Sequence, residues 1–486
     1  MSAPTLFRFL NLEKEISSGA DWNSPFLSKL WLYNLHYFDD LNAEFSKSRK
    51  TSHQDLIARW IAENPPGEGV GWEPYPISLR IVNWIKWALA GNQLDDEARQ
   101  SLTVQVRFLL GRLEWHLLGN HLFANAKALL FAGSYFEGHE AEGWLRSGMR
   151  ILESEIPEQI LDDGGHIERS TMYQAIAFED MLDMANLSSA YPEALAAWAP
   201  FLSSWPRIIS KMGRWLGAMS HPDGEISFFN DAALGIALSP TSLFDYADRL
   251  GLPIEIVNGE VIQLASSGYI RIALGPAVLL IDVAPVGPDY LPGHAHADTL
   301  SYELSLYGHR VVVNSGTSSY EVGQVREWQR STAAHSTLEI DRENSSEVWA
   351  GFRVGRRAYP VEVSVKNENA AIIVEAAHDG YCRLPNHPIH KRTWILSSDG
   401  LHVADSVVGA INQAVSRVYF HPELHVQIVD VGGTAHWGEH CFNWTARSGA
   451  VSIRTARWYP EFGIDLENRC IEMSSSCGKA TFSLNW

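Results

Sequence analysis

The spacing of apolar residues changes about halfway along the 486 residues, and this change limits the folds that the chain can adopt. Up to roughly residue 250, apolar residues recur at three- and four-residue spacing, as in SLRIVNWIKWALAG and VQVRFLLGRLEWHLLGNHLFANAKALLFAGSYF. That spacing places apolar side chains on one face of an α-helix. From about Glu260 they alternate in short runs such as HRVVVNSG and LHVADSVVGA, which is typical of β-strands broken by turns.

The length of the chain exceeds one ordinary hydrophobic core, so we expect two domains. We predict a helical domain over residues 1–258 and a domain of strands over residues 259–486, which makes an α+β chain. The broad apolar faces predict paired helices, and the lack of a strict repeat argues against a regular solenoid. The strands predict a large antiparallel sandwich. A cleft between two domains is a usual place for a ligand.

Composition and charge narrow the class of protein. The formal net charge of −19 argues against a nucleic-acid-binding surface, although a local basic cleft remains compatible with it. The start, MSAPTLFRFLNLEKEI, lacks the pattern of a signal peptide, and no apolar run reaches transmembrane length. The four cysteines lack metal-site spacing, so we expect free, buried thiols. These features predict a cytoplasmic protein, with a periplasmic or secreted one as the alternative.

The segment PGHAHADTLSYEL carries His294, His296 and Asp298 at alternating positions. If the segment is a strand, these side chains project to the same side. Two neutral imidazoles can hold a transition metal with a third ligand from a neighbouring strand, for which Asn314, Tyr320 and His335 follow along the chain. The alternative is a hydrogen-bonded histidine pair at the end of a strand.

Longer motifs point to a family. The segments GHAHADTLSYELSLYGHRVVVNSGTSSY and QRSTAAHSTLEIDRENSSEVW together resemble the C-terminal signature of the heparinase II/III-like polysaccharide lyases. In the helical half, LLGNHLFANAKALLFAG is similar to the Asn-His helix of that family, and DDGGHIERSTMYQ to its loop and helix start. The resemblance implies an incomplete (α/α) toroid followed by an antiparallel β-sandwich. It also implies β-elimination at a uronic acid in a polysaccharide.

Such an elimination needs a group that neutralises the uronate carboxylate, a base, and an acid for the leaving glycosidic oxygen. The resemblance implies that Asn120 donates its amide to the carboxylate, and that His121 neutralises the carboxylate or acts as the base. Tyr173 is the expected acid, and an alternative role for it is the base. His294 would help to neutralise the carboxylate or share the acid and base roles.

The position of Tyr173 follows from its neighbours. Ser170 or Thr171 is a typical N-cap, which places Tyr173 in the first turn of a helix. A phenol is normally protonated at neutral pH, which suits an acid. To act as a base, Tyr173 would need a pKa lowered by nearby cations.

Several further residues are predicted to bind the sugar. Arg80 lies close to Trp72 and would clamp a carboxylate, with a solvated helix arginine as the alternative. Glu168 and Asp223 are carboxylates of loops or caps that could orient a catalytic side chain. The predicted substrate-binding set is Arg80, Trp72, Glu168, Tyr320 and Arg326. A basic group in the second half lines the cleft or forms an ordinary charged surface; it consists of Arg326, Arg330, Arg353, Arg356 and Arg357.

The resemblance also implies one structural divalent metal. Its ligands would be His296 and His335, with Asn314 as the third. The family often has Asp where this chain has Asn314, and a neutral amide is a poorer zinc ligand than a carboxylate. The site would then be weak, recruit Asp298 or a water, or be a metal-free cluster. Zinc is the expected ion, and no organic cofactor is expected.

Three functions compete at this point. The first is a lyase that cuts a uronate-containing polysaccharide, its acidic partner. The second is a non-catalytic protein that binds acidic glycans in polysaccharide biosynthesis or export. The third is a metal-dependent hydrolase, which predicts water activation but leaves Tyr173, Asn120 and His121 without a role. The identity of the sugar, the mode of cutting and the oligomeric state stay open.

Overall fold

A computed structural model describes residues 5–256, 259–429 and 431–486 of the chain. The chain divides into two compact units, Met1–Gln159 with Glu179–Arg207, and Ile160–Phe178 with Ile208–Trp486. We call them the helical unit and the sandwich unit. The predicted two-domain α+β organisation is confirmed. Residues 160–178 and 208–256 precede the predicted boundary at 258, yet they group with the strands.

Most helices lie where apolar residues recur at three- and four-residue spacing. The α-helices of the described residues are α1 (Lys29–Tyr37), α2 (Lys50–Glu63), α3 (Pro74–Leu89), α4 (Asp96–Leu110), α5 (Gly119–Tyr135), α6 (His139–Gln159), α7 (Thr171–Ala190), α8 (Ala199–Leu202), α9 (Trp205–Ala218), α10 (Pro240–Arg249) and α11 (Gln324–Arg330). Their starts carry local signals, as in α4, where the Asp95 side chain accepts a hydrogen bond from the Ala98 N–H at 2.8 Å. α11 is a short helix within the half that was predicted to form strands.

Helices α5 and α6 approach each other closely because glycines lie where they cross. A Cβ added at Gly133 of α5 would lie 2.6 Å from the backbone N of Leu145 in α6. A Cβ added at Gly148 of α6 would lie 2.8 Å from the carbonyl oxygen of Ala126 in α5. Real Cβ atoms do not approach so closely, so only glycine permits this packing.

The expectation that Asn120 and His121 lie inside one long helix is wrong. The helical run breaks after Leu110, and α5 begins anew at Gly119. Leu118, just before α5, has φ 56°, and Gly119, its first residue, has φ 52°; these left-handed values interrupt the backbone before the right-handed turns of α5. Asn120 and His121 therefore lie in the first turn of α5, where the backbone N–H groups have no intrahelical acceptor and the helix dipole favours anions.

In the part of the chain that the structure describes, the strands form two large sheets and two small hairpins. The strands are β1 (Leu6–Phe9), β2 (Leu12–Glu15), β3 (Val261–Leu264), β4 (Tyr269–Leu274), β5 (Ala277–Asp282), β6 (Tyr302–Leu306), β7 (His309–Val312), β8 (Leu338–Ile340), β9 (Val348–Trp349), β10 (Arg353–Val354), β11 (Pro360–Glu368), β12 (Ala371–His378), β13 (Ile389–Leu396), β14 (Gly400–Val408), β15 (Ala414–Phe420), β16 (His425–Val429), β17 (Gly432–Trp437), β18 (His440–Arg447), β19 (Ala450–Trp458), β20 (Leu466–Ser475) and β21 (Lys479–Asn485).

Both large sheets are antiparallel. One has the order β11-β12-β13-β14-β21-β18-β17-β16, and the other β19-β20-β15-β7-β6-β5-β4-β3, with β8 paired to β15. Trp394 and Leu396 of the first sheet share one hydrophobic core with Leu279 and Leu304 of the second. Two antiparallel sheets packed over one core make a β-sandwich, as the alternating pattern predicted.

Two expectations about exposure and membranes can be compared with the structure. Among residues 5–256, 259–429 and 431–486, no helix has the length and apolar character needed to cross a bilayer. The four cysteines are free thiols, as expected, but only Cys470 is buried; Cys441 and Cys477 are exposed and Cys382 is half-buried. The expectation of buried thiols is therefore wrong for Cys382, Cys441 and Cys477. Cys441, for example, lies on the exposed face of β18, where buried and exposed residues alternate.

Candidate active site

The segment that carries His294, His296 and Asp298 is irregular, so the prediction that it forms a strand is wrong. It ends in a turn in which the Ser301 N–H donates to the Asp298 carbonyl at 2.8 Å, and only then does β6 begin. The two histidines nevertheless converge because both donate to the carboxylate of Asp231, and not because they alternate along a strand.

Asp231 is the buried centre of this site. Its Oδ2 accepts from His294 Nδ1 at 2.9 Å and from Arg326 Nη2 at 2.7 Å. Its Oδ1 accepts from His296 Nε2 at 2.8 Å and from Arg326 Nη1. Burial on its own would raise the pKa of this carboxyl group, but the charge and hydrogen bonds of Arg326, with the two histidines, hold it well below its usual range. Asp231 is therefore ionised, and each neighbouring nitrogen donates to it.

Arg326 supports Asp231, and the structure does not favour its predicted role in substrate binding. Its side chain is fully buried. Both Nη atoms donate to Asp231, and Nε donates to the Gly351 carbonyl at 3.0 Å. Every guanidinium nitrogen thus has a protein acceptor, so Arg326 positions the carboxylate that holds both histidines.

Tyr173, Tyr320 and His294 form the part of the site that can do acid and base chemistry. The hydroxyls of Tyr173 and Tyr320 are 3.1 Å apart, and the rings of Tyr173 and His294 have centroids 4.0 Å apart. Because His294 Nδ1–H donates to Asp231, its Nε2 is the nitrogen with a lone pair. That Nε2 lies 3.9 Å from Oε2 of Glu168. Glu168 is 2% exposed, so its side chain offers little surface to a sugar.

The environment of Tyr173 fixes its protonation state. Burial raises the pKa of the phenol well above its ordinary value of 10, and the nearby Tyr320 and Glu168 raise it further. The Ser170 hydroxyl accepts from the Tyr173 N–H at 3.2 Å, which confirms the predicted N-cap and places Tyr173 in the first turn of α7. Tyr173 is therefore a protonated phenol at neutral pH, as a general acid must be.

His296, Asp298 and His335 form a buried group whose ligand atoms lie within 4.8 Å of one another. His335 Nδ1 donates to the Ser331 carbonyl at 2.8 Å, so its Nε2 carries a lone pair. His296 Nε2 donates to the ionised Asp231, so its Nδ1 also carries a lone pair. These two lone-pair nitrogens face each other at 3.2 Å.

Two facing lone pairs need a cation between them. Burial lowers the pKa of His296 to about 4 and also lowers that of His335, so neither ring holds a second proton at neutral pH. A divalent metal would accept both lone pairs, and a carboxylate oxygen of Asp298 would complete a set of three ligands. The residues therefore fit a metal ion.

A second histidine pair in the sandwich unit shows the contrast. His378 Nδ1 accepts from the Gly380 N–H at 3.1 Å, so its Nε2 carries the proton. That Nε2 lies 3.1 Å from His390 Nδ1, and His390 Nε2 donates to Asp405 at 2.7 Å. Each contact here pairs one donor with one acceptor. The pair is complete without a metal, although its nitrogen spacing is almost the same.

The structure supports Asp298 over Asn314 as the third ligand. Oδ1 of Asn314 accepts from the Ser336 N–H at 3.2 Å, and its Nδ2 lies 3.2 Å from the Ser301 hydroxyl. Both polar atoms of the amide are thus occupied. Asp298 is the alternative that the sequence left open, and metal binding by Asn314 stays a prediction without support from these contacts.

A metal-content measurement tests this group. We expect the purified protein, dialysed against a mixture of divalent ions, to hold about one metal per chain by inductively coupled plasma mass spectrometry, and the His335→Ala variant to hold none. The loss follows because three ligands are the usual minimum for a tight site. The matched control is His378→Gln, which should keep the metal. An equal metal content in wild type and His335→Ala would contradict the assignment.

In the helical unit, His121 resembles His294 in its contacts. His121 Nδ1 lies 3.0 Å from Oε1 of Glu114, and its ring packs on Tyr75 with centroids 4.5 Å apart. Oε2 of Glu114 accepts from Asn125 Nδ2 at 3.0 Å. The acid thus holds the Nδ1–H and leaves Nε2 available on a side chain that is 30% exposed. Asn120 precedes His121 in the same first turn of α5.

Arg80 and Trp72, which were predicted to bind substrate, lie in the core of the helical unit. Arg80 is fully buried and donates to Gln105 Oε1 at 2.9 Å and to the Gly71 carbonyl at 2.8 Å. Trp72 is 4% exposed, and its Nε1–H donates to the Asn64 carbonyl at 3.2 Å. Neither side chain presents a surface to a sugar, because packing with neighbouring helices has covered both. This corrects their predicted role.

Two residues of these sites, Asp231 and Glu114, were not predicted from the sequence. Asp231 ends the segment ISFFND, and no residue at helical or strand spacing from it suggests a functional pair. Glu114 lies seven residues before His121, but in a segment that the sequence predicted to be helix. No local pattern marks either carboxylate, since their partners come from distant parts of the chain.

Comparison with known proteins agrees with this architecture. The family "Heparinase II/III N-terminus" matches residues 42–244, and "Heparinase II/III-like, C-terminal" matches residues 257–480. A solved structure titled "Crystal Structure of Heparinase III" superposes with a TM-score of 0.73 at 17% identity, covering 98% of this chain and 79% of that one. That likeness shows a shared fold.

Two of the relatives differ in name and in how much of the chain they match. The heparin-sulfate lyase of Bacteroides stercoris is 25% identical over 250 residues, which is 46% of this chain and 36% of that protein. The FtsZ-localized protein C of Caulobacter vibrioides is 24% identical over 475 residues, which is 90% of this chain and 77% of that protein. The match thus spans about a third of the length of the lyase. The two family matches, which together take in most of the sequence, show that this chain belongs to the heparinase II/III-like family.

Proposed function

We propose that this protein is a polysaccharide lyase that cleaves a uronate-containing glycan by β-elimination. Membership of the heparinase II/III-like family supports a polysaccharide lyase. The observation that carries the proposal is the Tyr173 hydroxyl 3.1 Å from that of Tyr320, with the His294 ring 4.0 Å from the ring of Tyr173. A protonated phenol and an imidazole lone pair lie side by side, which is what acid and base catalysis of elimination needs.

In the proposed step, Nε2 of His294 removes the proton from the carbon next to the uronate carboxylate. The electron pair of that C–H bond forms a carbon–carbon double bond, and the bond from the next ring carbon to the glycosidic oxygen breaks. Tyr173 donates its phenolic proton to this leaving oxygen. Asp231 keeps its hydrogen bond to His294 Nδ1 and stabilises the imidazolium. Tyr173 as the base is less well supported, because its surroundings raise its pKa.

The uronate carboxylate needs a partner that lowers its charge, and we assign this role to Asn120 and His121. The support is their place in the first turn of α5, where backbone N–H groups and the helix dipole favour an anion. Glu114 orients His121 as Asp231 orients His294. These two roles stay predictions carried over from the family resemblance.

We further propose that the metal held by His296, Asp298 and His335 is structural. Such an ion supplies a fixed positive charge and ties together the chain segments that carry its ligands. His296 also donates to Asp231, the acceptor of His294, so the metal would fix the orientation of the base. Zinc stays the predicted ion.

The substrate is proposed to be an acidic polysaccharide. The name of the Bacteroides stercoris relative, a heparin-sulfate lyase, supports this class. A cytoplasmic location stays a prediction. If it holds, the protein would act on polymers before export or on imported oligosaccharides, and recovery of the native protein from a periplasmic or secreted fraction would exclude both.

An absorbance assay tests the proposal. Purified protein is mixed with heparan sulfate, chondroitin sulfate, alginate and bacterial capsular uronates, and ultraviolet absorbance is followed. Elimination creates a double bond conjugated to the carboxylate, so we expect absorbance to rise with at least one of these glycans. The matched control is His294→Ala, which should give no rise with the same glycan.

The other outcomes favour the competing functions. Binding of a glycan without any rise in absorbance would favour the non-catalytic, glycan-binding protein. New reducing ends without a rise would favour a hydrolase, because hydrolysis forms no double bond. Either outcome would contradict the proposed reaction.

A further inference from the structure

A shallow, solvent-open cavity with three arginines and two aspartates in its lining lies in the sandwich unit, and it has no role in the reaction proposed above. Its volume is about 470 Å³. The charged and aromatic residues that line it are Arg356, Arg357, Arg383, Asp289, Asp379 and Tyr359. Three arginines around one cavity stand out in a chain of net charge −19. Two of them belong to the basic group that the sequence singled out.

Two chain segments connect this cavity to the catalytic residues. The first is the hairpin of β9 and β10, in which the Phe352 ring lies 5.7 Å from that of His294 and 5.2 Å from that of Tyr320. The chain leaves this hairpin through Arg356 and Arg357. The second segment is the loop that begins with Asp289 and leads to His294. Because both segments run only about five residues between the catalytic group and the cavity, a polymer held at His294 can extend to the cavity within the same unit.

Arg383 is nearly buried, and the carboxylate with which it pairs, Glu343, is 3.8 Å away. The Arg383 side chain is 8% exposed. Its hydrogen bonds go to the backbone carbonyls of Asn344, Ser345 and Gly380, which are neutral acceptors. The carboxylate of Glu343 is 57% exposed, so water screens it. A buried cation of this kind is stabilised by an anion that enters the cavity.

The other two arginines have carboxylate partners that a ligand can replace. Arg356 pairs with Glu347 at 2.5 Å and is 68% exposed. Arg357 pairs with Asp289 at 2.6 Å, and this aspartate is 79% exposed. Each pair has one exposed member, Arg356 in one and Asp289 in the other, so water screens it, and a sulfate or carboxylate with better geometry can compete for the guanidinium groups. The Tyr359 side chain, 44% exposed, adds an aromatic face on which a sugar ring can pack.

We propose that this cavity is a second saccharide site, which binds the anionic group of another sugar residue in the polysaccharide that reacts at Tyr173 and His294. The group is a sulfate or a carboxylate, since the planar forks of arginine match both. The inference rests on the proposed function for the identity of the polymer. It adds that the preferred substrate is charged at more than the reacting uronate.

Binding to a variant without turnover tests this site. In a Tyr173→Phe background, isothermal titration measures affinity for a heparan sulfate octasaccharide and for the same octasaccharide after chemical desulfation. We expect Arg356→Gln with Arg357→Gln to weaken binding about tenfold or more, since charge-assisted hydrogen bonds are lost. The matched control is Arg353→Gln, an exposed arginine of β10 outside the cavity, which should bind as the parent does.

The desulfated ligand separates the two anions. A loss confined to the sulfated octasaccharide assigns the cavity to sulfate, and an equal loss for both assigns it to carboxylate. The exposed Arg356→Gln change on its own, which should fold normally, is expected to show part of the same loss. Equal affinity of the parent, the double variant and Arg353→Gln would overturn the inference, as would a failure of the parent to bind either octasaccharide.

The assay with Tyr173 intact keeps the two proposals apart. With turnover, Arg356→Gln with Arg357→Gln is expected to raise KM for the octasaccharide and to leave kcat close to wild type. Turnover with an unchanged KM would overturn the second site alone. Absence of turnover on every glycan, together with the tenfold loss of binding, would overturn the proposed reaction and leave the second site in place.

Discussion

Replacing Tyr173 with Phe is expected to lower kcat for elimination by about 10²–10⁴-fold, the usual contribution of a positioned general acid. The change removes the only proton donor that we assign to the leaving oxygen. The phenyl ring keeps its packing on His294, and the fold loses one hydroxyl contact with Tyr320, which contributes about 0.5–1.5 kcal/mol. Initial rates from ultraviolet absorbance, with circular dichroism of each variant, measure both effects.

Tyr307 serves as the control for the effect of removing a tyrosine hydroxyl away from the site. Tyr307 is 44% exposed on the turn between β6 and β7, and Tyr307→Phe should keep the rate of wild type. Tyr320→Phe is expected to lower kcat less than Tyr173→Phe, because Tyr320 acts through its contact with the Tyr173 hydroxyl. A Tyr173→Phe enzyme as fast as wild type would remove Tyr173 from the mechanism.

Replacing Asp231 with Asn should destabilise the sandwich unit by about 3–5 kcal/mol, the cost of leaving a buried charge without its partner. Both Nη atoms of Arg326 donate to this carboxylate, and Arg326 is fully buried. The variant should also lose elimination activity, because His294 no longer has a carboxylate to hold its Nδ1–H. Urea unfolding followed by tryptophan fluorescence measures the loss of stability.

A double variant shows whether the unpaired charge is the cause. Asp231→Asn combined with Arg326→Met removes both members of the pair, so it should recover part of the stability lost in Asp231→Asn. Glu375→Gln is the control for an exposed pair, since Glu375 and Lys366 are both nearly half exposed, and it should change stability by about 0–1 kcal/mol. A double variant less stable than the single one would contradict this account of Asp231.

Local sequence patterns predicted the elements and some positions within them. The helical and alternating patterns separate correctly near residue 260, because side-chain period is a property of each segment alone. The place of Tyr173 in the first turn of α7 was also predictable, since its N-cap Ser170 is only three residues away. The same reasoning failed for Asn120, because the helix ends at Leu110 and resumes only at Gly119, after positive φ angles at Leu118 and Gly119, although the apolar pattern continues.

Burial of charged side chains could not be predicted in this way. Arg80 and Arg326 were expected to meet substrate, but carbonyl and carboxylate acceptors from distant segments cover both. No local pattern marked Asp231 as a site residue, because the side chains that contact its carboxylate are 63 to 95 residues further along the chain. His294 and His296 were singled out correctly as a pair, yet the cause is a shared acceptor and not an alternating strand.

The mass of the products shows whether the glycosidic bond breaks by elimination. The glycan that raises the absorbance is digested in water enriched in oxygen-18, and the oligosaccharide products are measured by mass spectrometry. Elimination divides the chain without adding water, so we expect product masses that sum to the mass of the substrate, with no oxygen-18. Products that together carry one additional water, labelled with oxygen-18, would show hydrolysis and contradict the roles given to Tyr173 and His294.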